Sequence, residues 1–291
     1  MSDQTPSDQK IVLITGATAG IGEVAAMALA KKGFRVGIVG RNPSKCEATA
    51  SKIKQEAATP LIDIFVADLS KQSDVRRLAE EVKAKYPRLD VLLNNAGAII
   101  STKQESADGI ERTWALNHLA YFLLTDLLLD LLKSTPGARV VSVSSEAHRF
   151  LKGVDFDDIE GKKSYSSWKA YSQSKLANVL FTRELARKLK ESGSDVTANC
   201  LHPGFVKTNF TAGKGFSTWA FRQLANVLAI PADKGAQTSI YLASSPEVAG
   251  ITGEYFAKSR VNKPAAAAQD DDAAKRLWTL SEAMTAESAR V

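Results

Sequence analysis

Apolar residues recur in short blocks that close on glycine, asparagine or serine, and a longer stretch of helical period usually follows each block. The first is KIVLITG, 10–16, followed by a helical pattern from about Gly22 to Lys32. FRVGIVG, 34–40, predicts a second strand, with a helix through Lys45–Gln55 behind it. PLIDIFVADLS, 60–70, and the amphipathic segment 73–85 repeat the unit, and LDVLLNNAG, 89–97, gives a fourth strand. A helix over 111–133 leads to a fifth strand, ARVVSVSS, 138–145. A helix over roughly 168–190, a sixth strand at 195–204 and a seventh at GEYF, 253–256, complete the series. Strands alternating with helices predict a doubly wound α/β fold: a parallel sheet of about seven strands with helices on both faces.

No linker divides the chain, so 1–291 is expected to be one domain, with a flexible N-terminus at 1–9. PAAAAQDDD, 264–272, reads as a link to a final helix, 273–284, within a C-terminal segment 264–291. The apolar run LNHLAYFLLTDLLLDLLK, 116–133, is interrupted by Asp126 and Asp130. An acid at the bilayer centre is costly, so a buried or partner-facing helix is expected there. The N-terminus MSDQTPSDQK is polar, so no signal peptide or membrane anchor is expected.

Composition changes this picture little. With 291 residues, 44% hydrophobic and 24% charged, the chain is ordinary globular protein. The net charge of +6 lies largely in helix-surface runs such as 31–35 and 186–190, and no nucleic-acid-binding signature accompanies it, so no nucleic-acid partner is expected. Cys46 and Cys200 have no metal or redox spacing, which suggests a reducing, cytoplasmic setting. His118, His148 and His202 are scattered, so structural roles and no metal site are expected.

Candidate chemistry clusters just after strands, where ligands bind in such sheets. Gly16, Gly20 and Gly22 lie between the first strand and first helix, in TGATAGIG, 15–22. They would let the backbone turn tightly and approach a pyrophosphate at the helix N-terminus. Further on, SYSSWKAYSQSK, 164–175, holds one spacing twice: Tyr165 four residues before Lys169, and Tyr171 four before Lys175. On a helix each spacing puts a phenol and an ammonium on one face, which favours the phenolate. Tyr171 and Lys175 precede an apolar stripe, Leu176, Val179, Leu180, Leu185 and Leu189, whereas Tyr165 stands amid serines where a helix start or loop is expected.

The glycine spacing is Gly-x-x-x-Gly-x-Gly, and at this point the sequence resembles the short-chain dehydrogenase/reductase family over about residues 10–256. The motifs occur in the family's order: Asp68 after the third strand, NNAG at 94–97, Asn117, Ser145, YSQSK, and PGFVKT at 203–208. NHLAYFLLTDLLL, SVSSEAH and the tail DDDAAKRLWTLSEAMT further resemble the branch with NADP-dependent retinol dehydrogenases and carbonyl reductases, whose membrane-bound members carry an N-terminal anchor.

The resemblance implies roles. Thr18, Ala19 and Ile21 join the three glycines around the cofactor, and Asp68 with Leu69 flanks the adenine. Asn95, Ala96 and Gly97 line the nicotinamide-ribose side, Pro203 and Gly204 begin the next contact, and Val206 and Thr208 reach the carboxamide. Asn94 is either a strand-end hydrogen bonder or a cofactor ligand. Gly40-Arg41-Asn42 ends the second strand without the carboxylate that an NAD site uses, and Arg41 offers a fork suited to a 2′-phosphate, so the cofactor is expected to be NADP.

Tyr171 is then the general acid/base, with Lys175 lowering its pKa and holding the ribose, Ser145 bonding the same substrate oxygen, and Asn117 positioning a water beside Lys175. Ser142 and Ser144 are expected to be structural, and the spacing of Tyr165 to Lys169 a coincidence. Phe205, Phe210, Phe216, Trp219 and Phe221 fall in the expected substrate lid, 205–230, and suggest an apolar alcohol or carbonyl substrate. The apolar 114–132 and 168–190 helices suggest a homodimer or homotetramer. A non-catalytic NADP-binding sensor or scaffold is the competing reading; the intact tyrosine and lysine argue against it.

Overall fold

The computed structural model describes residues 9–58, 61–204, 211–212 and 231–286. Its first half alternates β1 (Ile11–Thr15), α1 (Gly20–Lys31), β2 (Arg35–Gly40), α2 (Pro43–Glu56), β3 (Ile62–Val66), α3 (Gln72–Lys85) and β4 (Val91–Asn94). Next come β5 (Ile99–Ile100), α4 (Arg112–Trp114), a π-helical turn (Ala115–Leu119), α5 (Ala120–Leu127), α6 (Leu129–Lys133) and β6 (Arg139–Val143). A 3-10 turn (Glu146–Phe150), α7 (Ser167–Glu191), β7 (Thr197–His202) and β8 (Thr211–Ala212) follow. The described chain ends with α8 (Ala232–Ser244), β9 (Tyr255–Ala257), β10 (Arg260–Val261) and α9 (Asp271–Thr285).

The main sheet runs β10-β9-β7-β6-β4-β1-β2-β3. Seven of its strands are parallel and correspond to the seven expected from the sequence; β10 adds an antiparallel edge to β9. Short β5 and β8 pair separately. Strand side chains alternate between faces. Ile11 and Leu13 enter the core shared with α3, α5 and α7, while Val12 and Ile14 enter the core shared with α1 and α2. Leu13 is fully buried, so Leu13→Ala would cost about 2–5 kcal/mol. Strand order reverses between β1 and β4, which fixes the cleft at their carboxyl ends.

The helix expected over 111–133 is not continuous. It widens into the π turn at Ala115–Leu119, and at Leu128 (φ −97°, ψ 2°) the backbone leaves helical geometry before α6 begins. The π turn carries Asn117, whose side chain is drawn to the loop after β4. Part of this segment's apolar surplus is answered within the chain. Trp278 of α9 lies against Phe122 (ring centroids 5.0 Å) and Phe181 (5.9 Å). Leu127, Leu129 and Leu131 remain only partly buried. The tract 264–272 is packed as well: Ala268 is fully buried, and the Ala265 N–H donates to His148 Nε2 at 3.1 Å. Among the described residues, no helix is long and apolar enough to cross a membrane.

Candidate active site

After β1 the chain turns with Gly16 at φ 66° and Gly20 at φ 57°, both in the left-handed region that glycine tolerates. A Cβ on Gly22 would stand 2.3 Å from the Gly16 carbonyl oxygen, so only glycine fits there. Asn95, after β4, braces the turn: its Nδ2 donates to the Thr15 carbonyl (2.8 Å) and its backbone N–H to Thr15 Oγ1 (2.8 Å). The Ala96 N–H shares Thr15 Oγ1 at 3.0 Å. Asn42, Ser166 and Asp270 cap α2, α7 and α9 through their side chains, but Ala19 leaves the N-terminus of α1 without one. Those backbone N–H groups and the helix dipole are aimed at the cleft, the arrangement a pyrophosphate needs. The residues therefore fit a dinucleotide. Thr18, half-buried, packs where a Cβ on Gly40 would clash at 2.6 Å, beside the end of β2; Ile21 is buried in α1.

Arg41 is exposed just beyond β2, and Asn42 uses its Oδ1 to accept from the Lys45 N–H (3.0 Å). Asp68, after β3, accepts from the Ser70 hydroxyl (2.7 Å) and N–H (3.1 Å). Burial pushes its carboxyl up, yet these bonds, Arg112 and Arg41 hold it below the usual range. Leu69 is buried against α3.

Across the cleft, Ser145 ends the β6 segment and Tyr171 and Lys175 project from α7. Tyr171 is 5% exposed and hydrogen-bonded with Ser145; burial pushes its phenol up to about 12 against the opposing effect of that bond. Lys175 is 2% exposed, donates to the Val143 carbonyl (3.0 Å) and lies 5.7 Å from the ring centres of both Tyr171 and Tyr121. Burial alone draws its ammonium down to about 7. A Cβ on Gly97 would lie 3.4 Å from Lys175 Nζ and 3.2 Å from Asn117 Oδ1, so the loop after β4 passes directly over the pair.

Asn117 is bound on every side. Its Oδ1 accepts from the Ala98 N–H (2.9 Å), while its Nδ2 donates to the Ala98 carbonyl (3.0 Å) and Ser174 Oγ (3.1 Å). Its carbonyl accepts from Asn178 Nδ2 at 2.9 Å.

The second tyrosine–lysine pair is elsewhere. Tyr165 precedes α7, whose N-cap is Ser166, and its hydroxyl lies 3.3 Å from both the Ile100 carbonyl and Glu111 Oε1. Lys169 reaches Asp155 at 2.7 Å. Asn94 is buried and donates to Thr125 Oγ1 (3.0 Å), the strand-end role. Ser144 donates to the Lys175 carbonyl (2.7 Å), and Ser142 is buried. Burial lowers His118 to about 3, and it links to Ser281 of α9 at 2.9 Å. Val206, Thr208 and the aromatics of 205–230 lie outside the described residues.

Sequence reasoning missed Tyr121, Ser174 and Asn178, which enclose Lys175 and Asn117. Ser174 and Asn178 stand one turn apart on the same α7 face, a signal available in the sequence. Tyr121 needed the π turn to be known. Two aromatics also extend outward from Tyr171: Trp168 (ring centroids 6.0 Å, 42% exposed), then Phe150 (5.6 Å from Trp168, 69% exposed).

A glycine-turned βαβ cleft facing a buried tyrosine–lysine pair with a half-buried serine defines a dinucleotide-dependent oxidoreductase fold. The sequence profile of the short chain dehydrogenase family matches residues 10–215. The chain belongs to that family, whose fold takes a nicotinamide cofactor. It is 40% identical to human retinol dehydrogenase 14 over 300 residues, covering 94% of this chain and 86% of that one. It is 39% identical to human polyprenol dehydrogenase over 285 residues, covering 96% and 86%. An uncharacterised Mycobacterium paratuberculosis protein has a similar crystal structure (TM-score 0.78, 34% identity, 98% of both chains). So does Pseudomonas aeruginosa RhlG, solved as an active-site complex with NADP (TM-score 0.67, 27% identity, 85% of this chain and 93% of that one).

Proposed function

We propose that this protein is an NADP(H)-dependent oxidoreductase that interconverts a carbonyl and an alcohol on an apolar substrate. The observation that carries the reading is the buried Tyr171 and Lys175 with the half-buried Ser145 bonded to Tyr171, across the cleft from the glycine turn. Arg41, the absence of a carboxylate after β2 in Gly40-Arg41-Asn42, and the NADP complex of a relative support NADP over NAD. Trp168 and Phe150 support an apolar substrate by extending an aromatic surface outward from Tyr171. The retinol and polyprenol dehydrogenases among the relatives point the same way.

In this reading the backbone of Thr18, Ala19, Gly20, Ile21 and Gly22 holds the pyrophosphate and Arg41, with Asn42 capping the helix beside it, takes the 2′-phosphate. Asp68 and Leu69 border the adenine, while Asn95, Ala96, Gly97, Pro203, Gly204, Val206 and Thr208 border the nicotinamide half. The nicotinamide supplies or takes the hydride and, when oxidised, brings a positive charge. Ser145 hydrogen-bonds the substrate oxygen, and Tyr171 gives that oxygen its proton during reduction or removes it during oxidation. At neutral pH burial keeps Tyr171 protonated, the state reduction uses. Forming its phenolate at neutrality asks for about 7 kcal/mol of favourable charge. Lys175, when protonated, contributes part of it. Asn117 fixes the Ala98 segment above Lys175, and in this reading the segment it holds keeps a water beside Lys175. A cytoplasmic setting, and a homo-oligomer made through Leu127, Leu129 and Leu131, belong to the same proposal.

The test is a panel of apolar and polar aldehydes, ketones and alcohols with NADPH, NADH and their oxidised forms, followed at the nicotinamide absorbance. Turnover is expected with NADP(H) and an apolar carbonyl or alcohol. NADPH binding with no turnover of any member would overturn the enzymatic reading in favour of a sensor.

A further inference from the structure

Next to Ser145, two loops are joined by side chains the proposed reaction does not use. His202 is the last residue of β7, and its Nδ1 lies 3.0 Å from the Gly204 N–H. Its Nε2 lies 3.2 Å from Glu146 Oε1, on the residue after Ser145. A backbone N–H can only donate, so Nδ1 carries the lone pair and the neutral ring donates from Nε2 to Glu146.

Glu146 is itself anchored. The Tyr255 hydroxyl donates to Oε1 (3.1 Å), and Arg149 Nε donates to Oε2 (2.7 Å) while its Nη2 reaches the Lys263 carbonyl (2.6 Å). The His202 ring stacks on Tyr255 (6.1 Å, 11°), and His148 lies 5.0 Å from the same ring. His148 clamps the Ser145 carbonyl at 2.6 Å.

We propose that His202 and Glu146 are a positioning pair that pins the Pro203–Gly204 turn to the Ser145 loop, and that the pin fails when His202 becomes doubly protonated. A second proton must sit on Nδ1, where it displaces the bond from Gly204 and sets two N–H groups against each other. The groups facing the ring are Glu146, Arg149 and His148 of the 3-10 turn, Tyr255 of β9 and Lys258 beyond it. Burial, Arg149 and Lys258 resist protonation, and Glu146 favours it. The net effect puts the transition below the ordinary histidine range, so the pin holds at neutral pH and is lost on acidification. The inference rests on the proposed cofactor site, in which this turn borders the nicotinamide half.

Calorimetric Kd values for NADP+ and for 2′-phospho-ADP-ribose, which keeps the pyrophosphate and lacks only the nicotinamide, test it between about pH 7.5 and about pH 5. Both ligands share the 2′-phosphate and its titration, so the ratio of their Kd values isolates the turn. In the unsubstituted protein the ratio should worsen about tenfold on acidification, the scale of one hydrogen bond. His202→Asn, whose Oδ1 can still accept from Gly204 and cannot titrate, should give a flat ratio near the neutral value. His202→Leu should be weak for NADP+ by a similar factor at every pH. Glu146→Gln removes a group that favours the proton, so its acid loss should move to lower pH. The same pH dependence in His202→Asn and the unsubstituted protein, or an unmoved profile in Glu146→Gln, would overturn the pin. Should neither ligand bind at pH 7.5, the NADP reading itself falls and the inference with it; binding of both with a flat ratio sinks the inference alone.

Discussion

Two Tyr-x-x-x-Lys pairs stand six residues apart at one end of α7, and the structure treats them as opposites. Tyr171 and Lys175 are inside the helix, buried at 5% and 2% exposure, with Ser145 and Gly97 around them. Tyr165 lies before the helix begins, its lysine points to Asp155 in solvent, and its hydroxyl ties Glu111 to the β5 segment. Equal spacing therefore gives unequal chemistry. Burial shifts both members of the inner pair, the phenol up to about 12 and the ammonium down to about 7. A pair with a solvent-facing lysine offers no comparable means of making one group's protonation depend on its neighbour's charge.

The largest expected contrast is between the lysines. Lys175→Met should lower turnover about 10²-fold or more and weaken cofactor binding, whereas Lys169→Met should change turnover by no more than a few-fold. The same inner substitution should stabilise the cofactor-free protein at pH 7 by about 1–3 kcal/mol, because it removes an ammonium whose desolvation exceeds its one bond to Val143. The folded ammonium titrates at about 7 against 10.5 unfolded. Between these values the unfolded chain binds more protons, so this part of the stability is fully present above the unfolded pKa and is lost as pH falls towards the folded one. Urea unfolding from pH 7 to 10 should show that slope in the unsubstituted protein and lose it in Lys175→Met.

Next in size is Arg41, outside either pair. Arg41→Ala should weaken NADPH binding by about 1.5–3 kcal/mol, the scale of a charged hydrogen bond, and leave NADH nearly untouched. Equal losses with both cofactors would remove the 2′-phosphate from the account. The smallest effects belong to the outer pair. Tyr165→Phe should cost about 1 kcal/mol of stability through its lost bond to Glu111 and Ile100, and Lys169→Ala no more than several tenths because its partner is exposed. Thermal unfolding of both variants reads these values.

The seven parallel strands were legible because each is a short apolar run closing on a turn residue, and so was the glycine turn, whose crowding at Gly22 leaves no room for a Cβ. The separation of the two tyrosines was legible from the apolar stripe that begins after Lys175. The break of the 111–133 helix was not: a π turn has the same local composition as an α-helix, and what marks it, Asn117 reaching across to Ala98, is a contact between distant segments. The C-terminal helix was legible as a helix, but its seat was not, because the pairing of Trp278 with Phe122 and Phe181 depends on the tertiary fold. The same holds for the direction in which Tyr171 shifts. Sequence spacing suggested a depressed pKa, whereas burial, opposed by the bond with Ser145, raises it.

The central claim is that depth and wiring, rather than spacing, select the reactive pair. Its most direct test is NADPH-dependent reduction of one apolar aldehyde by Tyr171→Phe and Tyr165→Phe side by side, with NADPH Kd measured for each. Tyr171→Phe should lose about 10²- to 10⁴-fold in turnover with cofactor affinity nearly unchanged, while Tyr165→Phe stays within a few-fold. Loss of turnover in Tyr165→Phe with activity kept in Tyr171→Phe would contradict the assignment, and with it the roles proposed for Ser145, Lys175 and Asn117.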